Sequence, residues 1–447
     1  MTQIAVCARA AAPEIRDAKR QSAFERNRKL ACWVFVAGYF FVNWHGAGSR
    51  LYTLPGLQYL ELPLFAWLFL LTWLKRGGRA ASQTLKVLWV TTLLAIPLFW
   101  LYGDNPSDGG EGAYLKQAIL YIFYVGFVAG FAYTFYREGL FVDIWLKAAT
   151  VAAVIALLGY ALAVTTGRPD LVTFANYSGG LRLTGMLGEP SSWAPIISAG
   201  ILLSWRRRSP RLVVMFAAAG LLTKSPTVAL AFVLSLAVVL LISRFALFLK
   251  FMIVMLLAGA APWIIPVFTG GVAPVDRNSG NPLAIMMGRL LSGIEFVQTG
   301  GASGSNVRAE GALKTWSILE SHDWLWVGRG LGSADVYFPF HFGTVQAWSL
   351  PVNLLFSFGV IGLGVYVLFA LLAIWNMRNT EAALIFIPFL MASAINSAQG
   401  IEFYKFALLG ILLYVGRTGR SNRLAKRWTI AHPWKLARVS RLAPDTE

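Results

Sequence analysis

Charge is scarce in this chain. Only 13% of its 447 residues are Asp, Glu, Lys or Arg, whereas 57% are hydrophobic. A soluble globule of this size needs far more polar surface, so that class is excluded. Acid is scarcer than base: 21 Asp and Glu stand against 39 Lys and Arg, a net charge of +18. No basic segment lies in a nucleic-acid-binding motif, so no nucleic-acid partner is expected. The two cysteines, Cys7 and Cys32, lie outside any segment expected to be exported, which predicts neither a disulfide nor a metal site. Among the four histidines there is no His-Glu-x-x-His pair and no Cys/His cluster. A nucleophile elbow of the G-x-S-x-G type and a P-loop are also missing. The first 30 residues lack a cleavable signal's order of charge, apolar core and small-residue site. Residues 1–30 are therefore expected to form a cytoplasmic tail.

What the chain does have is apolar length. Runs fall at 31–48, 54–74, 86–102, 116–136, 143–165, 189–205, 211–223, 226–243, 249–268, 350–375, 382–397 and 402–416. They predict an all-α polytopic membrane protein with about 12 transmembrane helices. The short run 211–223 either pairs with 226–243 through "TKSP" or is partly re-entrant. Connecting segments alternate in charge. "KRGGR" at 75–79, "RRRSPR" at 206–211, Arg244 with Lys250, Arg378 and "RTGRSNRLAKR" from 417 are basic, whereas "GDNPSDGGEG" at 103–112 has acids and no base. The positive-inside rule then puts both termini in the cytoplasm of a bacterial inner membrane, with 166–188 and 269–349 outside. The resulting organisation is a tail at 1–30, nine spans over 31–268, an external subdomain at 269–349, three spans over 350–416 and a basic tail at 417–447. Eight Lys or Arg between 417 and 441 suit anionic headgroups.

The segment 269–349 is the longest hydrophilic stretch, and long ordered loops usually carry function. "NPLAIMMGRLLSGIEFV" at 281–297 and "NVRAEGALKTWSILES" at 306–321 have helical apolar spacing, with Pro282 and Asn306 as start signals. Trp324 and Trp326 follow and suit a membrane interface. No symmetric pair of broken helices of the transporter kind is evident.

Arg182 and Glu189 stand in "LRLTGMLGEPSSWAP", at the mouth of a predicted helix. Gly185 and Gly188 let backbone come close to a ligand, Pro190 suits the first helical position, and Ser191 and Ser192 can bond the free N–H groups there. A helix N-terminus plus a guanidinium suits a phosphate or diphosphate. The plainer alternative is that Glu189 caps its own helix and Arg182 reaches a headgroup. Arg308 lies on the predicted external helix with Glu310 and Lys314, an arrangement that an ordinary solvated face also explains. Arg277, Arg289 and Arg329 form a group of five with Arg182 and Arg308, against the trend for translocated segments; an anionic ligand on that side would explain the group. Lys224, in "LLTKSPTVALAF", either joins them or snorkels. Glu61 and Glu402 lie in or beside spans, where a carboxylate is costly. His322 and His341 are external and fit no metal spacing.

Four stretches together resemble the bacterial O-antigen polymerase and O-antigen ligase superfamily: "LRLTGMLGEPSSWAP", "LLTKSPTVALAF", "NVRAEGALKTWSILESHDWLWVGRGLGS" and "NLLFSFGVIGLGVYVLF". The resemblance implies a GT-C-like membrane fold with one large helical periplasmic loop. It implies metal-independent glycosyl transfer, without cofactor, from an undecaprenyl-diphosphate-linked glycan. Arg182 and Arg308 match the family's functional arginines and would stabilise charge developing on the departing diphosphate. Glu189, then His341, would serve as base or orient the acceptor. Lys224, Arg277, Arg289, Arg329 and His322 would bind substrate. A chain-length regulator is a further partner of such enzymes. The ligases carry a His–Asn pair about eleven residues before the glycine of "GVIGL"; here Trp348 and Ser349 stand there. With the "GEPSS" form, this points to a polymerase rather than a ligase, with a lipid-linked oligosaccharide flippase as the rival of another class.

Overall fold

The computed structural model describes residues 25–38, 40, 128–167, 176–177, 180–183, 190–242, 307–329, 337, 349–378, 380–395, 407–408, 410–412 and 414–415. These residues are mostly helical. Helix α1 covers 25–37 and α2 covers 128–137. Next come α3 (Phe141–Thr166), α4 (Ala194–Arg206), α5 (Pro210–Leu222) and α6 (Pro226–Ile242). The remaining helices are α7 (Val307–Ser321), α8 (Leu350–Met377) and α9 (Ala383–Ile395). A minimal antiparallel hairpin pairs Asn176 with Leu181 and Tyr177 with Gly180. Among the described residues two helices, α3 and α8, are long and apolar enough to cross a membrane.

Burial explains the arrangement. In α4 every residue from Ala194 to Ser204 is buried, and in α9 nearly every residue is. A helix that is apolar all round belongs in the middle. These two pack on each other, with α5 and α6 against α4, α6 and α8 against α9, and α3 alongside α4 and α5. Small residues set the closest approach. Gly200 lies under the Phe216 ring, and Gly220 faces Ile197, so α4 and α5 meet with little between their backbones. Helix α3 turns Ala149, Ala152, Ala153 and Ala156 inward and leaves Val154, Ile155, Leu158 and Leu162 exposed. An apolar face outside as well as inside suits lipid rather than water.

Ion pairs gather at one end of the bundle. Arg28 makes a forked contact with the nearly buried Glu138, at 2.5 and 2.8 Å. Nearby, Arg207 reaches Asp143 at 2.6 Å and Glu381 at 2.7 Å, joining the start of α3, the α4–α5 turn and the start of α9. Glu381, as the first cause, and Asp143 hold the Arg207 guanidinium above its usual pKa. A cation whose pKa rises on folding contributes its full stability below the ordinary arginine value and loses it only as pH climbs through the folded one, so Arg207 is a constant tie at physiological pH. The "RRRSPR" turn thus does more than face headgroups.

Hydropathy alone does not foresee the break in α8. Gly359 sits at φ 64° and ψ −166°, which interrupts the helix inside an apolar run. Val360 N–H and Ile361 N–H lose their helical acceptors there, and the carbonyls of Phe356 and Ser357 lose those donors. The stretch Leu325–Arg329 supplies partners for three of these four groups. Val360 N donates to Leu325 O at 2.8 Å, Ile361 N to Trp326 O at 3.3 Å, and Arg329 N to Phe356 O at 2.8 Å. Two glycines allow the backbones to touch. A Cβ on Gly328, at φ 70°, would stand 2.5 Å from Gly359 N, and one on Gly359 would collide with the backbone of Trp326. Around this joint Ile318, Leu319, Tyr337 and Phe356 form a small second core.

Two sequence expectations need correction at the α4 entrance. The α-helix begins at Ala194 rather than near Glu189; Pro190–Trp193 form a buried 3-10 turn first. Its N-cap, Trp193, makes no side-chain capping bond. Ser192 Oγ is buried without a hydrogen-bond partner, so it does not cap the helix. The run 211–223 forms its own helix, joined to α6 by the three-residue turn Thr223–Ser225.

Gly328→Ala and Gly359→Ala should each destabilise the fold by at least about 3 kcal/mol, through positive φ and backbone overlap together. Gly364→Ala, which meets nothing within 4 Å, should be neutral or slightly stabilising. Thermal unfolding followed by size-exclusion in detergent reads all three.

Candidate functional site

The candidate site grows from the C-terminal end of α5. The last carbonyls of a helix have no partner within it. Here three in a row are taken by the residues that follow the hairpin. Leu183 N donates to Leu222 O at 2.9 Å, Arg182 Nε to Thr223 O at 2.9 Å, and Arg182 Nη2 to Lys224 O at 3.2 Å. A cation at a helix C-terminus is also favoured by the helix dipole. The Tyr160 hydroxyl of α3 stands 3.5 Å from Leu181 O and steadies the hairpin from its other side.

The turn beneath is polar, yet folded inward. Thr223 and Ser225 are buried. The Thr223 hydroxyl donates to Gly220 O at 2.6 Å and accepts from Ser225 N at 3.3 Å. Lys224 takes a left-handed conformation, φ 47°, unusual for a non-glycine residue and costing about 1–2 kcal/mol. Arg182 bonds the carbonyl of that same residue and so holds the strained turn in place. The structure therefore brings Arg182 and Lys224, 42 residues apart, onto one turn.

A second group forms where α7 ends. Asp323, at φ 58°, reverses the chain, and Trp324 N bonds back to Leu319 O at 2.9 Å. His322 is exposed. Its Nδ1 lies 2.9 Å from Ser321 Oγ and 3.0 Å from Ile318 O, and its ring stacks on Trp324 at 4.5 Å. Arg329 is buried, with its guanidinium 4.4 Å from the Trp324 ring centre and 5.0 Å from that of Tyr337. Burial pulls its pKa down from the ordinary arginine value, and Tyr337 opposes that. Both residues were expected to bind substrate. Here each is engaged in building the end of α7 and its seat on α8.

Arg308 lies in the first turn of α7. Glu189, His341, Arg277 and Arg289, with Glu61 and Glu402, lie outside the described residues. Ser349 occupies the register of the ligase pair and acts as the N-cap of α8, accepting from Val352 N at 3.3 Å. Among the described residues no group of three or more His, Cys, Asp or Glu could hold a metal ion. Sequence reasoning missed the Gly328–Gly359 contact and the Arg207 node. The glycine spacing of "GRGLGS" and "GVIGLG" was the one available signal for the first.

The chain matches no protein-family model, and no curated protein matches it.

Arg182→Ala should release the 223–225 turn. Charged hydrogen bonds contribute about 1.5–3 kcal/mol each, so trypsin should cut after Lys224 markedly faster in the variant. Arg329→Ala should lower the thermal midpoint, with two cation–π contacts worth about 1–2 kcal/mol together; Arg329→Lys should recover only part of that loss.

Proposed function

We propose that the chain is a polytopic glycosyltransferase of the O-antigen polymerase kind. It has about 12 spans, a GT-C-like fold and a catalytic face on the periplasmic side of a bacterial inner membrane. It moves a glycan from undecaprenyl diphosphate onto the next lipid-linked repeat. The observation that carries this reading is pairwise docking. The four stretches that resemble the family are distant in sequence, yet they form two joints: Arg182–Leu183 on Leu222–Lys224, and Leu325–Arg329 on Phe356–Ile361.

Sidedness supports it too. Arg28, Glu138, Arg207 and Glu381 fall in segments that charge alternation assigns to the cytoplasm, Asp143 opens the adjoining span, and they pair with one another. Of the stretches assigned to the periplasm, Arg182–Leu183 meets the outer end of α5 and Leu325–Arg329 meets the outer part of α8.

Chemically, the departing group is a lipid diphosphate. Negative charge grows on its bridging oxygen as the glycosidic bond breaks, and fixed cations stabilise that charge most in the transition state. Arg182 and Lys224 supply two cations on one immobilised turn, and Arg308 is the third candidate. Glu189 is the first choice for the base that orients the acceptor hydroxyl, and His341 the second. Ser349, an N-cap where the ligases carry their histidine–asparagine pair, favours polymerisation over transfer to lipid A core.

Purified protein in nanodiscs, given an undecaprenyl-diphosphate-linked repeat and no other acceptor, should yield a ladder of multimers. Transfer only after lipid A core is added would mean a ligase. Substrate crossing the bilayer without transfer would mean a flippase. Arg182→Ala and Arg308→Ala should each cut polymer by at least about 100-fold while the protein stays in the membrane. Lysine at either position should restore little, since it lacks the guanidinium fork.

A further inference from the structure

The joint in α8 lies deep in an apolar helix, and its depth can be measured along the axis. The far end of α8 is marked by Arg378, whose guanidinium stacks 3.7 Å over the Trp375 ring, and by Glu381 in the Arg207 node just beyond. A tryptophan and arginine pair of that sort belongs at a membrane interface. From Trp375 back to Ile361 the axis runs about 21 Å, at roughly 1.5 Å per residue. The hydrocarbon core is about 30 Å thick, so Ile361 lies roughly 9 Å short of the opposite interface. Trp326 is bonded to Ile361 through its carbonyl and therefore sits at the same level.

The outer face of α8 is apolar throughout. Ile361, Val365, Leu368, Leu372 and Trp375 form an exposed stripe over four turns. Trp326 is 65% exposed and Val327 50% exposed, next to the upper end of that stripe. Their backbone is held by the bonds to Phe356, Val360 and Ile361, which is the condition for irregular chain at membrane depth.

We infer that Leu325–Gly328 is a re-entrant loop, with the side chains of Trp326 and Val327 set among the acyl chains of the outer leaflet, below the headgroups. The occupant of this surface is lipid. The exposed face of the candidate span runs into it without a polar boundary, and the axial distance puts it inside the hydrocarbon. The inference rests on α8 crossing the bilayer and not on glycosyl transfer.

The test uses full-length protein with Cys7 and Cys32 replaced by serine and alanine, and a single cysteine introduced as Trp326→Cys, Val327→Cys or, as an aqueous control, His322→Cys. Each is labelled with an environment-sensitive nitrobenzoxadiazole probe and reconstituted in phosphatidylcholine vesicles. Protein that fails to float with vesicles would fail the membrane reading before any fluorescence is read. At positions 326 and 327, blue-shifted emission, quenching by lipid spin-labelled near the headgroup end of its chain, and loss of the iodide quenching seen at 322 are expected. Iodide quenching equal to that at 322 would overturn the inference. So would protection from both quenchers, which would mean that a second copy or another protein covers the loop. If the cysteine variants misfold, Trp326→Phe serves instead: brominated lipid should quench less of its tryptophan fluorescence than of the wild type's. An unchanged quenched fraction would overturn the inference equally.

Discussion

A helix that breaks in lipid strands its own backbone. Each unpaired N–H or C=O in hydrocarbon costs several kcal/mol, with no water present to relieve it. The break at Gly359 frees backbone N–H and C=O groups, and Leu325–Arg329 supplies partners for three of them. Much of the region before α8 follows from that need. Helix α7 must end where Leu325 can enter the joint, and Arg329, whose N–H makes one of the three bonds, sets its guanidinium against the Trp324 and Tyr337 rings.

The same logic operates with charge at the end of α5. Three successive terminal carbonyls need donors, and Leu183 and Arg182 provide them. Arg182 thereby fixes the Lys224 turn through main-chain acceptors that any residue could supply.

Helix extents were the most legible part of the fold. The apolar runs at 143–165, 226–243, 350–375 and 382–397 match α3, α6, α8 and α9 closely, and the spacing of 306–321 matches α7. Hydrophobicity reports where a helix can sit, and in these segments nothing competes with it. It is blind to backbone dihedrals, so the break at Gly359 was hidden inside an unbroken run. The partner of Arg182 was hidden for a different reason: every residue has a carbonyl, so no residue type announces the acceptor. The capping expectation at Ser192 failed because Pro190 opened a 3-10 turn and moved the α-helical start to Ala194. At the candidate site, topology put Arg182 and Lys224 on one side of the chain, but no residue type in either segment marked the turn they share.

The joint between Leu325–Arg329 and α8 is written almost entirely in main-chain atoms. It demands two glycines and constrains the identities of the residues between them very little. Side chains at 325–327 and 360–361 can drift among apolar types without disturbing any of its three bonds. Such a joint can outlast the sequence similarity of the chains that contain it. Descendants would then be recognised by two glycines at matching depths in the architecture, long after alignment by residue identity has lost the trail.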